Sequence, residues 1–268
     1  MSDRLEILET LYKMAKRLNC EDIKSCDVIT EGAPVIAFGD FSRAKVATLG
    51  LNPSDQEFFD SHGEELTGRS RRFHTLKSLG IENWKDLDND QLKKIMFTCE
   101  NYFQINPYDR WFKPLNNIIS GTGFSYYDSF DCACHLDLVP YATRSKWGGL
   151  PLEKRKKLLQ LGGKFLLEII NSGDIELIIL NGESVVKALK NISNIKLQEH
   201  EVPCWNLPRK KSDVVGRSYT STIYEILGHK VNQPIKLLGF NHNIQSSFGV
   251  TNKVKESIKD WITRKYNI

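Results

Sequence analysis

Four short apolar segments, separated by longer helical patterns, constrain the fold of this chain more than any other feature. The segments run over 45–52, 129–143, 174–182 and 235–251, and each of them ends in polar residues. Short apolar strands joined by long helices are typical of a parallel sheet with helices on both faces. We therefore predict an α/β fold, a three-layer α/β/α sandwich around a central, mainly parallel, four-stranded sheet.

The remaining patterns indicate one domain over 1–268. Apolar residues at helical spacing predict an amphipathic helix over 3–18, within an N-terminal helical extension over 1–32. Residues 193–233 are polar and irregular in pattern, and we interpret them as an insertion or flap, with a hairpin, near the ligand site. An edge strand is predicted over 33–40. Further helices are predicted over 67–80, 89–103, 106–123, 151–173, 183–192 and 254–267.

The composition is that of a globular protein in water. Apolar residues make up 40% and charged residues 26%, and no apolar run has the length of a membrane span. The N-terminal segment is acidic and helical in pattern, which argues against a secretory signal. Six cysteines without a CxxC pair favour reduced thiols, so we expect a cytoplasmic protein without a metal. The net charge of +4 is compatible with a polyanionic partner.

Polar side chains follow each of the four predicted strands. Ligands bind beyond the carboxyl ends of the strands in sheets of this kind, so we expect these groups to converge on one site. They are Asn52-Pro53-Ser54, Asp137 with Pro140, Asn181-Gly182 and Asn241-His242-Asn243.

The order of these segments resembles the uracil-DNA glycosylase superfamily over residues 40–250. "GLNPS", Gly50 to Ser54, is similar to its leading motif and closest to the thymine/mismatch and single-strand-selective branches, which carry Asn here. "WFKPLNNII" resembles the segment whose aromatic residue stacks on the base, and "HLDLVPYAT" the strand that reads the base edge. "LIILNGESVVKAL" resembles the strand and helix before the closing motif. "LLGFNHNIQSSFGV" takes the place of that motif but lacks both of its prolines.

The resemblance implies a monofunctional DNA glycosylase, which flips a pyrimidine base out of DNA and hydrolyses the bond between base and sugar. Flipping costs roughly a few kcal/mol, which stacking and hydrogen bonds in the pocket recover. Negative charge then grows on the departing base, and fixed dipoles in a dry pocket stabilise it. DNA is the expected partner, and neither a cofactor nor a metal is expected.

Asn52 is expected to hold the attacking water, because of its place in the motif. Its amide cannot take up a proton at neutral pH, so it would orient the water rather than act as a base. Asp55 would supply a base if the turn folded it inward. The alternative is that Asn-Pro-Ser-Asp only ends a strand, since these are ordinary turn residues.

Aromatic and acidic residues are expected to bind the base. Phe112 is predicted to form the pocket floor with Trp111 beside it, since stacking contributes roughly 1–3 kcal/mol per base; core packing is the alternative for both. Asp137 stands where uracil-specific relatives carry Asn. An ionised carboxylate only accepts hydrogen bonds, so it suits the amino group of cytosine. Pairing with Arg144 or Lys146 is the alternative for Asp137.

The closing segment is expected to complete the base site. His242, flanked by Asn241 and Asn243, takes the place of the histidine that donates to the departing base. One such donor is worth about 10²–10³ in rate. A surface histidine is the alternative, and the missing prolines leave the register open by one residue. Phe248 or Gln245 is predicted to fill the space that the flipped base leaves.

Hydroxyl and basic side chains are predicted to contact DNA phosphates, and a solvated surface is the alternative for the charges. The predicted contacts are Ser54, Ser246, Ser247, Arg69, Arg71 and Arg72, with the basic run 209–211 as a further candidate.

A cytosine-type modified base is the expected substrate. Asp137 and the long segment 193–233 together indicate a pocket widened for a bulky cytosine, such as the bases that some viruses install, and hence a defence against viral DNA. One alternative is a repair glycosylase with ordinary uracil or mismatch specificity. Another is a non-catalytic DNA-binding relative, which Asn rather than Asp at residue 52 makes credible.

Overall fold

One mixed sheet of six strands organises the computed structural model of the protein, which describes residues 2–267. The order across the sheet is β2-β1-β3-β6-β5-β4. The pairs β2–β1, β1–β3 and β3–β6 are parallel, whereas β6–β5 and β5–β4 are antiparallel. The strands are β1 Val46–Gly50, β2 Ala133–Asp137, β3 Leu177–Asn181, β4 Gln198–Glu201, β5 Arg217–Ile226 and β6 His229–Phe240.

The α/β class and the mainly parallel sheet are therefore confirmed, but the predicted number of four strands is wrong. The predicted strands correspond to β1, β2, β3 and β6, and the additional strands come from 193–233. β4 is exposed at all of its positions and has no apolar pattern, as is usual for a charged edge strand. β5 joins β6 through a tight turn at Leu227 and Gly228, both with positive φ, which is the usual hairpin geometry.

Nine α-helices are described between residues 2 and 267. α7 packs against β5 and β6, α8 against β3, and α9 against β6 and α6. Among the described residues, none of the helices combines the length and the apolar character that crossing a bilayer needs. The helices are α1 Ser2–Arg17, α2 Glu21–Lys24, α3 Leu76–Leu79, α4 Asn89–Glu100, α5 Tyr102–Ile105, α6 Asp109–Ile119, α7 Leu152–Asn171, α8 Glu183–Ile192 and α9 Asn252–Tyr266.

Two local predictions in the first third of the chain are wrong. Residues 33–40 form no strand, and only an isolated bridge joins Phe38 to the sheet. Residues 67–80 contain only a 3-10 turn over Gly68–Ser70 and one α-helical turn, α3, which Thr75 caps by accepting a hydrogen bond from the backbone N–H of Ser78. Gly80 then ends the turn in the left-handed conformation.

The strands that lead to the predicted site are packed and in register. β1 and β3 are buried at every position, which explains their continuous apolar sequence. Gly50 at the end of β1 lies beside Asp137 at the end of β2, and Asn181 ends β3 beside Phe240 of β6. The residues that follow these strands therefore emerge at one edge of the sheet.

Candidate functional site

A cavity of about 180 Å³ lies beyond the carboxyl ends of β1, β2 and β3. It is smaller than the roughly 300–1,000 Å³ of pockets for drug-sized ligands. A single aromatic ring with a few substituents is a ligand of this size. The cavity is lined by Phe38, Gly50, Leu51, Asn52, Pro53, Ser54, Glu57, Tyr108, Trp111, Phe112, His135, Asp137, Trp147, Asn181, Val185 and Asn243.

Asn52 lies in the cavity wall where the chain leaves β1. Its amide nitrogen is 3.0 Å from the carbonyl oxygen of Pro53, 3.3 Å from that of Tyr141 and 3.1 Å from the hydroxyl of Thr143. These contacts engage the nitrogen and fix the amide plane. The amide oxygen is therefore the atom left to accept a hydrogen bond from a water or a ligand.

Asp137 and His135 form a buried pair at the end of β2. Nε2 of His135 is 3.5 Å from Oδ1 of Asp137, and each side chain is only 3% exposed. A Cβ at Gly50 would lie 2.3 Å from that oxygen and 2.8 Å from that nitrogen, so this pair requires glycine at residue 50. Arg144, an alternative partner for Asp137 in the sequence analysis, donates to Glu31 instead.

Two buried hydroxyl groups hold His135 from the core side. Nδ1 of His135 is 2.7 Å from Oγ1 of Thr48, which also bonds the hydroxyl of Tyr126. Every group finds a partner if Tyr126 donates to Thr48 and Thr48 donates to Nδ1. The ring proton then sits on Nε2, toward Asp137, so the histidine stabilises a carboxylate at the cavity wall.

Glu57 is a functional candidate that the sequence analysis missed. It ends a 3-10 turn over Asp55–Glu57. Side chains three residues apart share one face of such a turn, so Glu57 lies on the face of Ser54, and both line the cavity. Glu57 is 3% exposed, accepts a hydrogen bond of 2.8 Å from Tyr102 and lies 4.0 Å from Arg72.

The charge of Glu57 is set mainly by its burial. Burial, with a smaller contribution from the charge of Asp137, raises the pKa of this carboxyl from 4.5 to about 7 against the opposing effects of Tyr102 and Arg72. Near neutral pH the cavity therefore holds an acid that exchanges a proton, which is the property that acid–base catalysis needs.

Asp55, the sequence-predicted base, faces solvent instead. Its carboxylate accepts hydrogen bonds from the hydroxyl of Ser54 and from the backbone N–H of Gln56, each at 2.9 Å. The prediction that the turn could fold Asp55 inward is wrong, because the 3-10 turn brings Glu57 inward. A signal was present in the sequence, since Glu57 precedes the apolar pair Phe58-Phe59.

Aromatic rings bound the cavity on the side of α6. Phe112 and Trp111 both line it, as do Tyr108 and Trp147. Phe112 is 2% exposed and contacts several other buried rings, so it packs the core and forms the cavity wall at once. Trp147 was not anticipated from the sequence.

Another part of the cavity wall comes from β3 and the closing loop, residues 241–251 between β6 and α9. Asn181 and Asn243 line the cavity there. Asn181 accepts a backbone N–H of the closing loop at 3.0 Å and donates to Gln245 at 2.7 Å. Gln245 donates in turn to the carbonyl of Trp111 at 2.9 Å. Gln245 is thus an anchor of the loop, which leaves Phe248 as the candidate for filling the vacated stack.

His242 and Asn241 lie outside the cavity, and their predicted placement at the base site is wrong. Nε2 of His242 donates to the carbonyl of Trp205 at 2.7 Å, and the residue is 1% exposed. Burial lowers the pKa of this imidazole. The amide of Asn241 bonds the backbone just before and at the start of β5. Asn243 is the residue of this motif that reaches the cavity.

The three predicted phosphate-binding arginines have different surroundings. Arg69 is exposed, whereas Arg71 lines a separate groove. Arg72 donates to two backbone carbonyl groups, lies over the ring of Tyr108 and approaches Glu57. The prediction of Arg72 as a phosphate contact is therefore wrong, because its guanidinium supports the cavity wall.

The serines are placed around the cavity mouth and on the closing loop. Ser54 lines the cavity and is exposed, Ser246 is exposed and Ser247 is half-buried. Of the described residues that line the cavity, none belongs to 193–233. That segment instead contacts the closing loop through Trp205 and Arg209, so the prediction that it widens the pocket is wrong.

The tip of the closing loop carries an unusual exposed aromatic residue. Phe248 is 82% exposed. The guanidinium of Arg209 lies 5.0 Å from the centre of its ring and donates to its backbone carbonyl. Arg209 therefore supports the loop tip, while its neighbours Lys210 and Lys211 are exposed to solvent.

Among residues 2–267, no three side chains of His, Cys, Asp or Glu are grouped as ligands for a metal ion. No family model matches the chain, and no curated protein is significantly similar to it. The cavity and its lining side chains therefore carry the functional assignment.

Proposed function

We propose that the protein is a DNA glycosylase that receives one extruded pyrimidine base in the cavity and hydrolyses its bond to the sugar. The observation that carries this proposal is the convergence of Asn52, Trp111, Phe112, Asp137 and Asn243 on one cavity of about 180 Å³. They come from four separate segments of the chain. The resemblance to the uracil-DNA glycosylase superfamily assigns the same residues to the base site.

The wall residues suit the steps of such a reaction. Trp111 and Phe112 stack on the base, at roughly 1–3 kcal/mol per base. The amide oxygen of Asn52 accepts a hydrogen bond from a water and holds it beside the sugar carbon. When the bond between base and sugar breaks, its electron pair goes to the base. The water adds to the sugar cation and loses a proton, and the base gains one. The products are the free base and an abasic site.

Asp137 favours a base that offers an amino group. His135 faces its carboxylate at 3.5 Å, and the ionised form only accepts hydrogen bonds. Cytosine presents an amino group at this edge, whereas uracil presents an oxygen. We therefore propose a cytosine-type base, including the modified cytosines that some viruses install, and a role against viral DNA.

The exposed residues around the cavity would hold the DNA. Phe248 is the wedge in this proposal, since an apolar side chain that enters a base step stabilises the flipped state. Ser54, Ser246 and Arg69 are the phosphate contacts that stay exposed. Binding through such contacts weakens steeply as salt rises.

The proposal extends to the architecture and the location. We propose a single domain in three layers, with the helices that contact β3, β5 and β6 divided between the two faces of the sheet. All of the cysteines are unpaired, which fits the reducing cytoplasm that we propose as the location.

Incubation with modified oligonucleotides tests the proposal. Single and double strands carrying cytosine, 5-hydroxymethylcytosine, uracil or thymine opposite guanine are treated with the protein and then with alkali, which cuts abasic sites. Cleavage at a cytosine-type base supports the proposal. Cleavage at uracil or thymine alone supports an ordinary repair glycosylase. Salt-sensitive DNA binding without cleavage of any strand supports a non-catalytic relative.

A further inference from the structure

We propose that Glu57 is the proton donor of the cavity, and that the substrate is a cytosine-type base that needs this proton in order to leave. The inference rests on the glycosylase function proposed above. It adds a catalytic acid that neither the motif comparison nor the sequence pattern assigned.

The position of Glu57 is fixed by its surroundings. The hydroxyl of Tyr102 donates to Oε2 at 2.8 Å and accepts the backbone N–H of Tyr108 at 2.9 Å. Arg72 approaches the same oxygen at 4.0 Å. These contacts engage Oε2 and leave Oε1 as the oxygen available to a ligand. Glu57 is therefore held in one position in the wall of the cavity of about 180 Å³.

Three parts of the chain place charged or titratable groups around Glu57. Tyr102 belongs to α5, Arg72 precedes α3, and Asp137 and His135 belong to β2. The net result is a carboxyl with a pKa of about 7, with burial as the main cause. A proton on this group is thus held near neutral pH and can be given up without a large cost.

The cavity contains two carboxyl groups in different surroundings. The carboxylate of Asp137 faces Nε2 of His135 at 3.5 Å, whereas Glu57 accepts a hydrogen bond from Tyr102, lies 4.0 Å from Arg72 and has a pKa set mainly by its burial. Two carboxyl groups whose environments differ in this way take different roles at one pH. In this site Asp137 accepts a hydrogen bond from the base, and Glu57 donates a proton to it.

Cytosine matches this pair better than uracil does. Its amino group donates to a carboxylate, while its ring nitrogen N3 and its carbonyl oxygen accept a proton. Cytosine is also the poorer leaving group, because an amino group replaces one of the two carbonyl groups that spread negative charge in uracil. A proton delivered during bond breaking removes this disadvantage.

The step balances in atoms and electrons. The bond between N1 of the base and C1′ of the sugar breaks, and its electron pair passes to the base. The carboxyl proton of Glu57 moves to N3 or the carbonyl oxygen of the base, which leaves as a neutral molecule. The water held by Asn52 adds to C1′. The proton that this water loses restores the acid form of Glu57.

Glu57→Gln tests the inference, because an amide keeps the acceptor for Tyr102 but has no acidic proton. The full chain and the variant are compared in single-turnover release of 5-hydroxymethylcytosine and of 5-fluorocytosine, whose fluorine makes it the better leaving base. Glu64→Gln changes an exposed acid and is the matched control. Tyr102→Phe keeps the acid but removes the hydroxyl that orients it.

We expect Glu57→Gln to slow release of 5-hydroxymethylcytosine by about 10²-fold, within the roughly 10²–10⁴-fold range for acid–base catalysis. Release of 5-fluorocytosine should slow by about tenfold or less, since that base leaves more easily. The wild-type rate should fall as pH rises through about 7, and the variant should lose this dependence. Glu64→Gln should behave as wild type, and Tyr102→Phe should lie between wild type and Glu57→Gln.

Other outcomes overturn the inference in distinguishable ways. Equal slowing of both bases with an unchanged pH profile would mean that Glu57 is only structural. Unchanged rates would remove it from the reaction. Wild-type release of uracil without any cytosine-type base would refute the substrate class while the glycosylase function stands. Wild-type release of no base from any strand would overturn both proposals.

Discussion

The two walls of the cavity differ in the chemistry that they offer. The wall from β1, β2 and the turn after β1 carries Asn52, Glu57, His135 and Asp137, of which three are titratable and nearly inaccessible to solvent. The wall from β3 and the closing loop contributes neutral amides, such as Asn181. The only histidine of the closing loop is turned away from the cavity, toward Trp205.

The difference shows that the sheet and the closing loop contribute different kinds of groups to the cavity. Neighbouring strands in register hold Gly50 beside Asp137, and a missing Cβ allows the acid and histidine to approach each other. Such geometry is rigid, as acid–base groups require. The closing loop instead uses Gln245 to tie β3 to α6. In the proposed function, the first wall would carry the reaction and the second would shape the site.

The largest effect is expected from matched amide truncations on the two walls. Asn52→Ala should slow base release by about 10³-fold or more, because the water loses its fixed acceptor. Asn243→Ala should slow it by only about tenfold, because that amide shapes the site without orienting the water. Single-turnover rates measure both, and DNA binding should survive in each. Equal decreases of the rate in both variants would contradict the distinction between the walls. An unchanged rate of base release in Asn52→Ala would remove that residue from the mechanism.

The stability of the fold should depend on Glu57 and pH. Its pKa is raised from 4.5 to about 7 in the folded state, so the folded state binds the proton more tightly than the unfolded state. The corresponding stability is fully present below about pH 4.5 and is lost as pH rises through about 7. The loss should approach about 3 kcal/mol well above pH 7.

Urea unfolding at several pH values measures this dependence. Glu57→Gln should flatten the decline above neutral pH, since the amide has no proton to lose. A decline of the same size in the wild type and the variant would assign the effect to other groups.

A smaller change is expected for the choice of base. Asp137→Asn gives the cavity an amide that both donates and accepts, which suits uracil. The ratio of kcat/KM for uracil to that for cytosine should rise about tenfold, which corresponds to the roughly 1–3 kcal/mol of a base-reading contact. An unchanged ratio, from competition between the two substrates in one reaction, would mean that Asp137 does not read the base.

The smallest effect should come from the closing loop histidine. In His242→Gln the new amide can still donate to the carbonyl of Trp205, so base release should stay within about threefold of wild type. If His242 instead donated to the departing base, release would fall by about 10²–10³-fold. A fall of that size would mean that the closing loop supplies a catalytic group, contrary to the distinction between the two walls.

Sequence patterns predicted the parallel part of the sheet because β1 and β3 are apolar along their whole length. β4 escaped prediction because an exposed strand of charged residues has no apolar signal. The motif comparison predicted the cavity positions of Asn52, Phe112 and Asp137. It wrongly assigned His242 to the cavity, because without the two prolines the closing segment cannot be aligned with the motif to the exact residue. The position of His242 depends instead on its long-range contact with Trp205.

Two residues show why the first wall was only partly predictable. Glu57 follows exposed polar residues in "SDQE", so the apolar pair after it was a weak signal, and the 3-10 turn decides which acid enters the cavity. His135 lies inside an apolar strand, where a single histidine gives no pattern. The orientation and tautomer of its ring depend on the contact with Thr48, which belongs to the neighbouring strand β1.

Detection of the released base in ¹⁸O-labelled water tests the account most directly. An oligonucleotide with one 5-hydroxymethylcytosine is incubated with the wild-type protein, and the products are analysed by mass spectrometry. The account predicts free unlabelled 5-hydroxymethylcytosine, together with an abasic sugar that carries one ¹⁸O atom. An intact strand, or label in the base rather than in the sugar, would contradict it.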